Sequence, residues 1–118
     1  MALALDGTET TLAPGWYFVQ NTNPNGVDLT YTNGLSCTEG DLNIILCDGA
    51  EMTVNNTVDF GKGIEFSGDH TLTIYGQSEG TGRLTATGGR WGYGIEATNI
   101  VINGGNINTT NVVDGYAS

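Results

Sequence analysis

A repeat of about 28 residues constrains the fold of this chain more than any other feature of its sequence. Three short apolar runs align, and a glycine closes each: Ile45 to Gly49, Leu72 to Gly76 and Ile100 to Gly104. The alignment predicts that the first and third residue of each run point into a shared core. Self-similarity at such a period is typical of proteins that stack one structural unit on the next.

Two further series of short runs flank the first, one at spacings of 29 and 31 residues and the other at 32 and 23, because an insertion within residues 77–82 delays the middle run of the second series. One contains Leu35 to Cys37, Ile64 to Phe66 and Ile95 to Ala97, and the other contains Met52 to Val54, Leu84 to Ala86 and Ile107 to Thr109. Each run alternates apolar and polar residues as a half-buried strand does, and stacked strands lie about 4.8 Å apart. The sequence therefore predicts an all-β fold, a right-handed parallel β-helix (β-solenoid) of about four coils of roughly 28 residues.

The repeats predict a single domain over residues 1–118, with coils at 34–60, 61–90 and 91–113. Residues 1–33 are expected to form a divergent N-terminal coil or a cap, and residues 114–118 to begin a coil that is not completed. Because an open coil presents unpaired strand edges, we expect either a fragment of a longer protein or head-to-tail pairing with another subunit. The run from Leu42 to Cys47 is apolar on both faces, so the segment from Trp16 to Val19 is expected to cover its outer face.

Composition excludes several classes of function. The chain has 13 acidic and 3 basic residues and a net charge of -10, which is too few cations for the phosphate neutralisation that nucleic-acid binding requires. No apolar run approaches the roughly 18 residues of a membrane helix, so no membrane insertion is expected. Glycine, threonine and asparagine make up about two-fifths of the chain and are poor helix formers, but they suit the corners and outer faces of a solenoid.

The stretches from Leu42 to Val54 and from Leu72 to Gly89 resemble coils of large right-handed parallel β-helix surface proteins of gut bacteria. These are proteins of the carbohydrate-binding-domain type within the pectate-lyase-like superfamily, and the resemblance covers roughly residues 12 to 110. It implies an extracellular or cell-surface module that binds polysaccharide or glycan without catalysis. An alternative is a structural subunit or adhesin-stalk segment that assembles end to end. The calcium ligands and basic catalytic residue of the related lyases do not map onto this chain.

The chain departs from that family after Gly89, and the departure contains the predicted ligand-binding residues. Arg90, Trp91 and Tyr93, joined by Tyr116, place aromatic rings and a guanidinium at a glycine-rich corner, where sugar rings and hydroxyls could bind. The alternative is that Trp91 only fills a corner or the end of the coil. Gly61 and Lys62 are taken as the equivalent residues one coil earlier, so no aromatic ladder is expected.

An acidic pair gives the predicted metal site. Glu65 and Glu96 are expected at the same outward position of successive coils, where stacked carboxylates favour a cation. With Asp69 from a nearby turn they could supply part of the roughly six to eight oxygens that calcium takes, and no other cofactor is implied. A solvated acidic face explains the same residues without a metal. Glycoside hydrolysis is disfavoured, because it needs two carboxylates about 5 to 9.5 Å apart across a sugar site and no cleft is implied.

Three further features of the sequence concern its cysteines, its histidine and its threonines. Cys37 and Cys47 are both predicted to point inward from consecutive strands of one coil, as a disulfide or as two buried thiols. His70, the single histidine, is expected to be a corner residue. Four threonines at regular spacing suggest an ordered array of hydroxyl groups: Thr71, Thr73, Thr85 and Thr87. Val101 and Asn108 interrupt this spacing in the next coil, so no flat array is expected.

Overall fold

The computed structural model describes residues 2–23, 26–37, 39–66 and 68–109 and the backbone of 112–114. Within these residues all regular structure is β. The strands are β1 (Leu3–Ala4), β2 (Gly15–Val19), β3 (Leu29–Tyr31), β4 (Leu35–Cys37), β5 (Leu42–Leu46), β6 (Glu51–Asn55), β7 (Ile64–Phe66), β8 (Thr71–Gly76), β9 (Arg83–Thr87), β10 (Ile95–Ala97), β11 (Asn99–Ile102), β12 (Asn106–Thr109) and β13 (Val112–Asp114).

The strands form three parallel sheets, and each coil contributes one strand to every sheet. Sheet A has the order β1-β2-β5-β8-β11, sheet B the order β4-β7-β10-β13, and sheet C the order β3-β6-β9-β12. Each strand therefore pairs with its counterparts in the neighbouring coils rather than with the next strand along the chain. The predicted all-β parallel β-solenoid is confirmed, and four sets of three strands roughly meet the prediction of about four coils.

The core is a column of apolar side chains between the three sheets. In β5 the exposure alternates strictly, and Leu42, Ile44 and Leu46 are buried. Leu72 and Ile74 lie directly on Leu42 and Ile44 in the next coil. Stacking like residues in this way removes them from water and aligns the backbone hydrogen bonds of the sheets at the same time.

The register of sheets B and C agrees with the sequence alignment, whereas that of sheet A agrees only between β8 and β11, where Ile100 pairs with Leu72. Leu35 pairs with Ile64 and Met52 with Leu84, as predicted. In sheet A, however, Leu72 pairs with Leu42, not with Ile45, so the predicted alignment was wrong by three residues. An odd shift exchanges the two faces of a strand, and Ile45, predicted to point inward, is instead partly exposed.

The same shift corrects the expectation for the cysteines. Cys37 is buried as predicted, but Cys47 lies just beyond β5 and is only partly buried against the core. Both thiols are free, and the Sγ of Cys37 donates to the carbonyl of Gly40 at 3.4 Å. Burial, followed by the negative charge of Asp48, raises the pKa of the Cys47 thiol.

The N-terminal segment is both a cap and the start of a coil. β1 pairs with β2, and Thr11 forms a parallel bridge to Ser36, so the segment before β2 makes a partial turn beneath the first full coil. Leu5 and Leu12 are buried at this end of the core. The Tyr31 hydroxyl, buried below the turn, donates to the Glu9 carboxylate at 2.6 Å and ties the turn to sheet C.

The segment from Trp16 to Val19 does not cover β5 from outside, which corrects the prediction. It is β2 itself and pairs with β5 in sheet A. The Trp16 ring instead stacks on the Tyr75 ring, with centroids 5.1 Å apart. Because β5 lies between β2 and β8, these two rings shield part of its outer face.

Candidate binding site at an aromatic corner

Two stacked loops between sheets C and B form the corner that holds Trp91. They carry the matching segments Phe60-Gly61-Lys62-Gly63 and Trp91-Gly92-Tyr93-Gly94. The amide of Phe60 donates to the carbonyl of Arg90 at 2.6 Å, and the amide of Gly63 donates to the carbonyl of Tyr93 at 2.9 Å. These hydrogen bonds continue the ladder of sheet B into the loops and fix one loop on the other.

Glycine is required where the two loop backbones meet. A Cβ on Gly92 would lie 1.9 Å from the carbonyl oxygen of Gly61, and a Cβ on Gly89 would lie 1.9 Å from that of Val58. Both distances are far below van der Waals contact with a backbone atom, so larger residues would push the loops apart. The glycines therefore set the separation of the two loops that carry the aromatic side chains.

The two aromatic side chains of the corner form an exposed pair. Trp91 is 62% exposed and Phe60 is 63% exposed, and their ring centroids lie 5.3 Å apart at an interplanar angle of 33°. Both residues have positive φ, 61° for Trp91 and 64° for Phe60. Bulky side chains avoid this conformation, and residues that are held in it are concentrated at ligand sites.

A charged pair borders the rings. The guanidinium of Arg90 donates from Nε to Asp59 Oδ1 at 3.3 Å and from an Nη to Asp59 Oδ2 at 3.2 Å. The same guanidinium lies 4.6 Å from the centroid of the Trp91 ring, within the range of a cation–π contact. We call Asp59, Phe60, Arg90 and Trp91 the aromatic corner. Val58, which is 64% exposed, extends its apolar surface.

The structure brings together only some of the predicted ligand-binding residues. Arg90 and Trp91 are in contact, whereas Tyr93 is partly buried and joins the corner through its backbone carbonyl. Tyr116 lies outside the described residues. The alternative that Trp91 only fills a corner does not account for its exposure, because most of its side chain faces solvent.

Phe60 and Asp59 were missed in the sequence analysis. The predicted equivalence of Trp91 with Gly61 and Lys62 was wrong by one residue, and the absence of an aromatic ladder expected from it is corrected by the contact with Phe60. The shared pattern aromatic-Gly-x-Gly-Ile-Glu, from Phe60 to Glu65 and from Trp91 to Glu96, was the signal that could have revealed the pair.

Glu65 and Glu96 stand in register on β7 and β10, as predicted, but a lysine bridges them. The Nζ of Lys62 lies 3.9 Å from a carboxylate oxygen of Glu65 and 4.0 Å from one of Glu96. The ammonium therefore supplies at this position the positive charge that stacked carboxylates favour.

The third predicted calcium ligand has a different partner. Asp69 accepts a hydrogen bond from the Thr98 hydroxyl at 3.2 Å, and its neighbour His70 lies 3.9 Å from the carboxylate of Asp41 at a corner of the coil. Among the described residues no three His, Cys, Asp or Glu side chains are grouped closely enough to hold a metal ion. Calcium binding at Glu65, Glu96 and Asp69 stays a prediction.

Comparison with family models, with curated proteins and with solved structures finds no match to this chain. The resemblance to β-helix surface proteins therefore stays a prediction as well. In the described part of the chain there is no helix of the length and apolar character that crossing a membrane requires. The class that the fold defines is the parallel β-solenoids, and the function has to be argued from the surface.

Proposed function

We propose that this protein is a non-catalytic glycan-binding module whose ligand site is the aromatic corner. It would serve outside the cell or at the cell surface, where polysaccharides are the available ligands. The observation that carries the proposal is the pair of exposed rings, Trp91 and Phe60, held at positive φ on glycine-locked loops. An exposed aromatic pair costs stability and solubility, which a binding role explains.

The corner supplies both kinds of contact that a sugar ring needs. The apolar face of a pyranose can pack on an exposed aromatic ring, and hydroxyl groups can accept from Arg90 and donate to Asp59. Arg90 and Asp59 already hold each other at 3.2 Å and 3.3 Å, so their orientation is set before a ligand arrives. Preorganisation of this kind lowers the entropy lost on binding.

Isothermal titration against a panel of soluble oligosaccharides and polysaccharides tests the proposal. The Trp91→Ala variant should bind at least about tenfold more weakly than the wild type, as expected for a central aromatic anchor. Trp16→Ala is the matched control, because Trp16 is also exposed, at 42%, but lies on sheet A. The absence of binding across the panel, or equal losses in both variants, would count against the site.

A second candidate function is assembly with another copy of the chain through exposed sheet edges. In the described residues β11, β12 and β13 are edge strands of sheets A, C and B. Ile102 and Ile107, at this end of the core, are only partly buried. A second solenoid end placed on these strands would continue the ladders and cover both side chains.

Light scattering over a range of protein concentrations tests this candidate. Head-to-tail assembly should give a mass that rises with concentration. Val101→Lys places a charge on the outward face of β11, where Val101 is 42% exposed, and a lysine on an edge strand opposes pairing. Assembly that persists in this variant, or a constant monomer mass in the wild type, would argue against edge pairing.

A further inference from the structure

The outer face of sheet C carries an open polar groove that is separate from the aromatic corner. Its volume is about 500 Å³, which is within the range of small-molecule sites. Two rows of side chains run across the strands of the groove. One row joins Glu51, Arg83 and Asn106, and the other joins Thr53, Thr85 and Asn108.

Arg83 differs from the other two cations of the protein. Lys62 is bound to two glutamates and Arg90 to Asp59, whereas no ion pair or side-chain hydrogen bond engages Arg83 within the described residues. Glu51 pairs with Arg83 in register on the neighbouring strand. Within the described residues its carboxylate likewise forms no ion pair and no hydrogen bond. The groove thus offers one free positive and one free negative group on adjacent strands.

This arrangement selects a ligand that carries both charges. An anion at Arg83 would be repelled by Glu51 one strand away, about 4.8 Å along the stack, and a cation at Glu51 would be repelled by Arg83. A ligand with an ammonium and a carboxylate satisfies both groups with charge-assisted hydrogen bonds. An exposed pairing of Glu51 with Arg83 would compete, but it is weak enough to reduce affinity by no more than about fivefold.

The second row indicates the rest of the ligand. The hydroxyls of Thr53 and Thr85 and the amide of Asn108 can each donate and accept hydrogen bonds, and they lie two residues along the strands from the charged row. Val27 and Ile107 form the apolar part of the groove wall. A ligand that bears hydroxyl groups beside its two charged groups matches these residues.

We propose that this groove binds a hydroxyl-bearing zwitterion, with the ligand carboxylate on Arg83, its ammonium on Glu51 and its hydroxyls on the Thr53 and Thr85 row. The ligand class is an amino-sugar acid or a free hydroxy-amino acid, which share this chemistry. The inference concerns a different surface from the aromatic corner and does not depend on the proposed function.

Titrations of the full chain with four small molecules, followed by backbone amide chemical shifts and calorimetry, test the proposal. Muramic acid and L-serine carry both charges, glucosamine carries the ammonium alone, and glucuronic acid carries the carboxylate alone. The zwitterions should shift the amides of Thr53 and Thr85. Arg83→Gln and Glu51→Gln should each weaken zwitterion binding by about tenfold. Lys62→Gln, which removes one positive charge outside both the groove and the aromatic corner, should leave it unchanged.

The outcomes are decisive in both directions. Binding of muramic acid alone identifies an amino-sugar acid as the ligand class, binding of L-serine alone identifies an amino acid, and binding of both shows that the charge pair suffices. The proposal is wrong if neither zwitterion shifts the amides of Thr53 and Thr85, or if glucuronic acid or glucosamine shifts these amides at concentrations as low as the zwitterions do. It is also wrong if Lys62→Gln weakens binding as much as Arg83→Gln does.

Discussion

The ring of Trp91 lies 5.3 Å from the ring of Phe60 on the preceding coil, and both residues have φ angles in the left-handed region, at 61° and 64°. The contact cannot by itself explain the backbone, because an aromatic pair contributes only about 0.5–1.5 kcal/mol. Two strained residues cost a similar amount or more. The loop hydrogen bonds and close glycine packing hold the conformation, and the aromatic side chains are displayed as a result.

Backbone strain at Trp91 leads to a prediction about stability. Trp91→Gly should be more stable to urea than Trp91→Ala by about 1 kcal/mol, since glycine adopts positive φ without a Cβ penalty. At Trp16, in strand β2 without positive φ, the order should reverse, because glycine weakens a strand. The same order at both positions would contradict the strain argument.

Asp28 is predicted to stabilise the loop before β3 in a pH-dependent way. Burial opposes its ionisation, but the backbone amides of Glu51, Asn23 and Thr22 and the Thr22 hydroxyl outweigh burial and lower the pKa of its carboxyl. Replacing Asp28 with Asn removes the charge from these hydrogen bonds and should reduce the free energy of unfolding by about 0.5–1 kcal/mol at pH 7, because solvent screens much of the charge at this partly exposed position.

The sign of that pH dependence follows from the lowered pKa. A carboxyl with a depressed folded-state pKa contributes its stability above the unfolded value of about 3.9 and loses it as the pH falls through the folded value. The stability difference between wild type and Asp28→Asn should therefore be constant from about pH 5 to 7 and shrink below about pH 4. The control is Glu79→Gln, which removes a charge from an exposed side chain. Its free energy of unfolding should differ little from that of the wild type at any pH in this range. A stability difference between wild type and Asp28→Asn that increases at low pH would contradict this account.

The coil repeat could be predicted from sequence because most strands alternate strictly between apolar and polar residues. The run from Leu42 to Cys47 fails that test. Apolar residues occupy consecutive positions there, so period-two alternation cannot decide which face is buried. The pairing of β5 with β2 and β8 decides it, and this is information about stacking in three dimensions.

The aromatic corner was partly predictable for a related reason. Arg90 and Trp91 stand out in a glycine-rich stretch, and their sequence alone draws attention to them. The contact with Asp59 and the positive φ of Phe60 depend on how one loop backbone rests on the other. The repeated pattern aromatic-Gly-x-Gly-Ile-Glu could have paired Phe60 with Trp91, but the ion pair with Asp59 and the backbone conformation became visible only in the structure.

Lys62 is predicted to occupy the position where a calcium ion would otherwise bind. Removing its ammonium leaves Glu65 and Glu96 directly opposed, so Lys62→Gln should lose about 0.5–1 kcal/mol. Millimolar calcium should then raise the melting temperature of this variant more than that of the wild type. In the double variant Lys62→Gln with Glu96→Gln, one carboxylate remains and the calcium effect should disappear. Equal calcium shifts in all three proteins would place any bound ion elsewhere.

The two thiols are predicted to differ in reactivity. Cys37 is 1% exposed, so iodoacetamide should reach it only when the chain opens. Cys47 is partly buried, and its raised pKa, caused first by burial and then by Asp48, keeps it mostly protonated and slow to react.

Asp48→Asn removes the second cause and should speed alkylation of Cys47 by about twofold to fivefold. Glu39→Gln, an exposed charge removal outside this corner, should leave the rate unchanged. Equal labelling rates at the two cysteines of the native protein would show that the buried position of Cys37 is wrong.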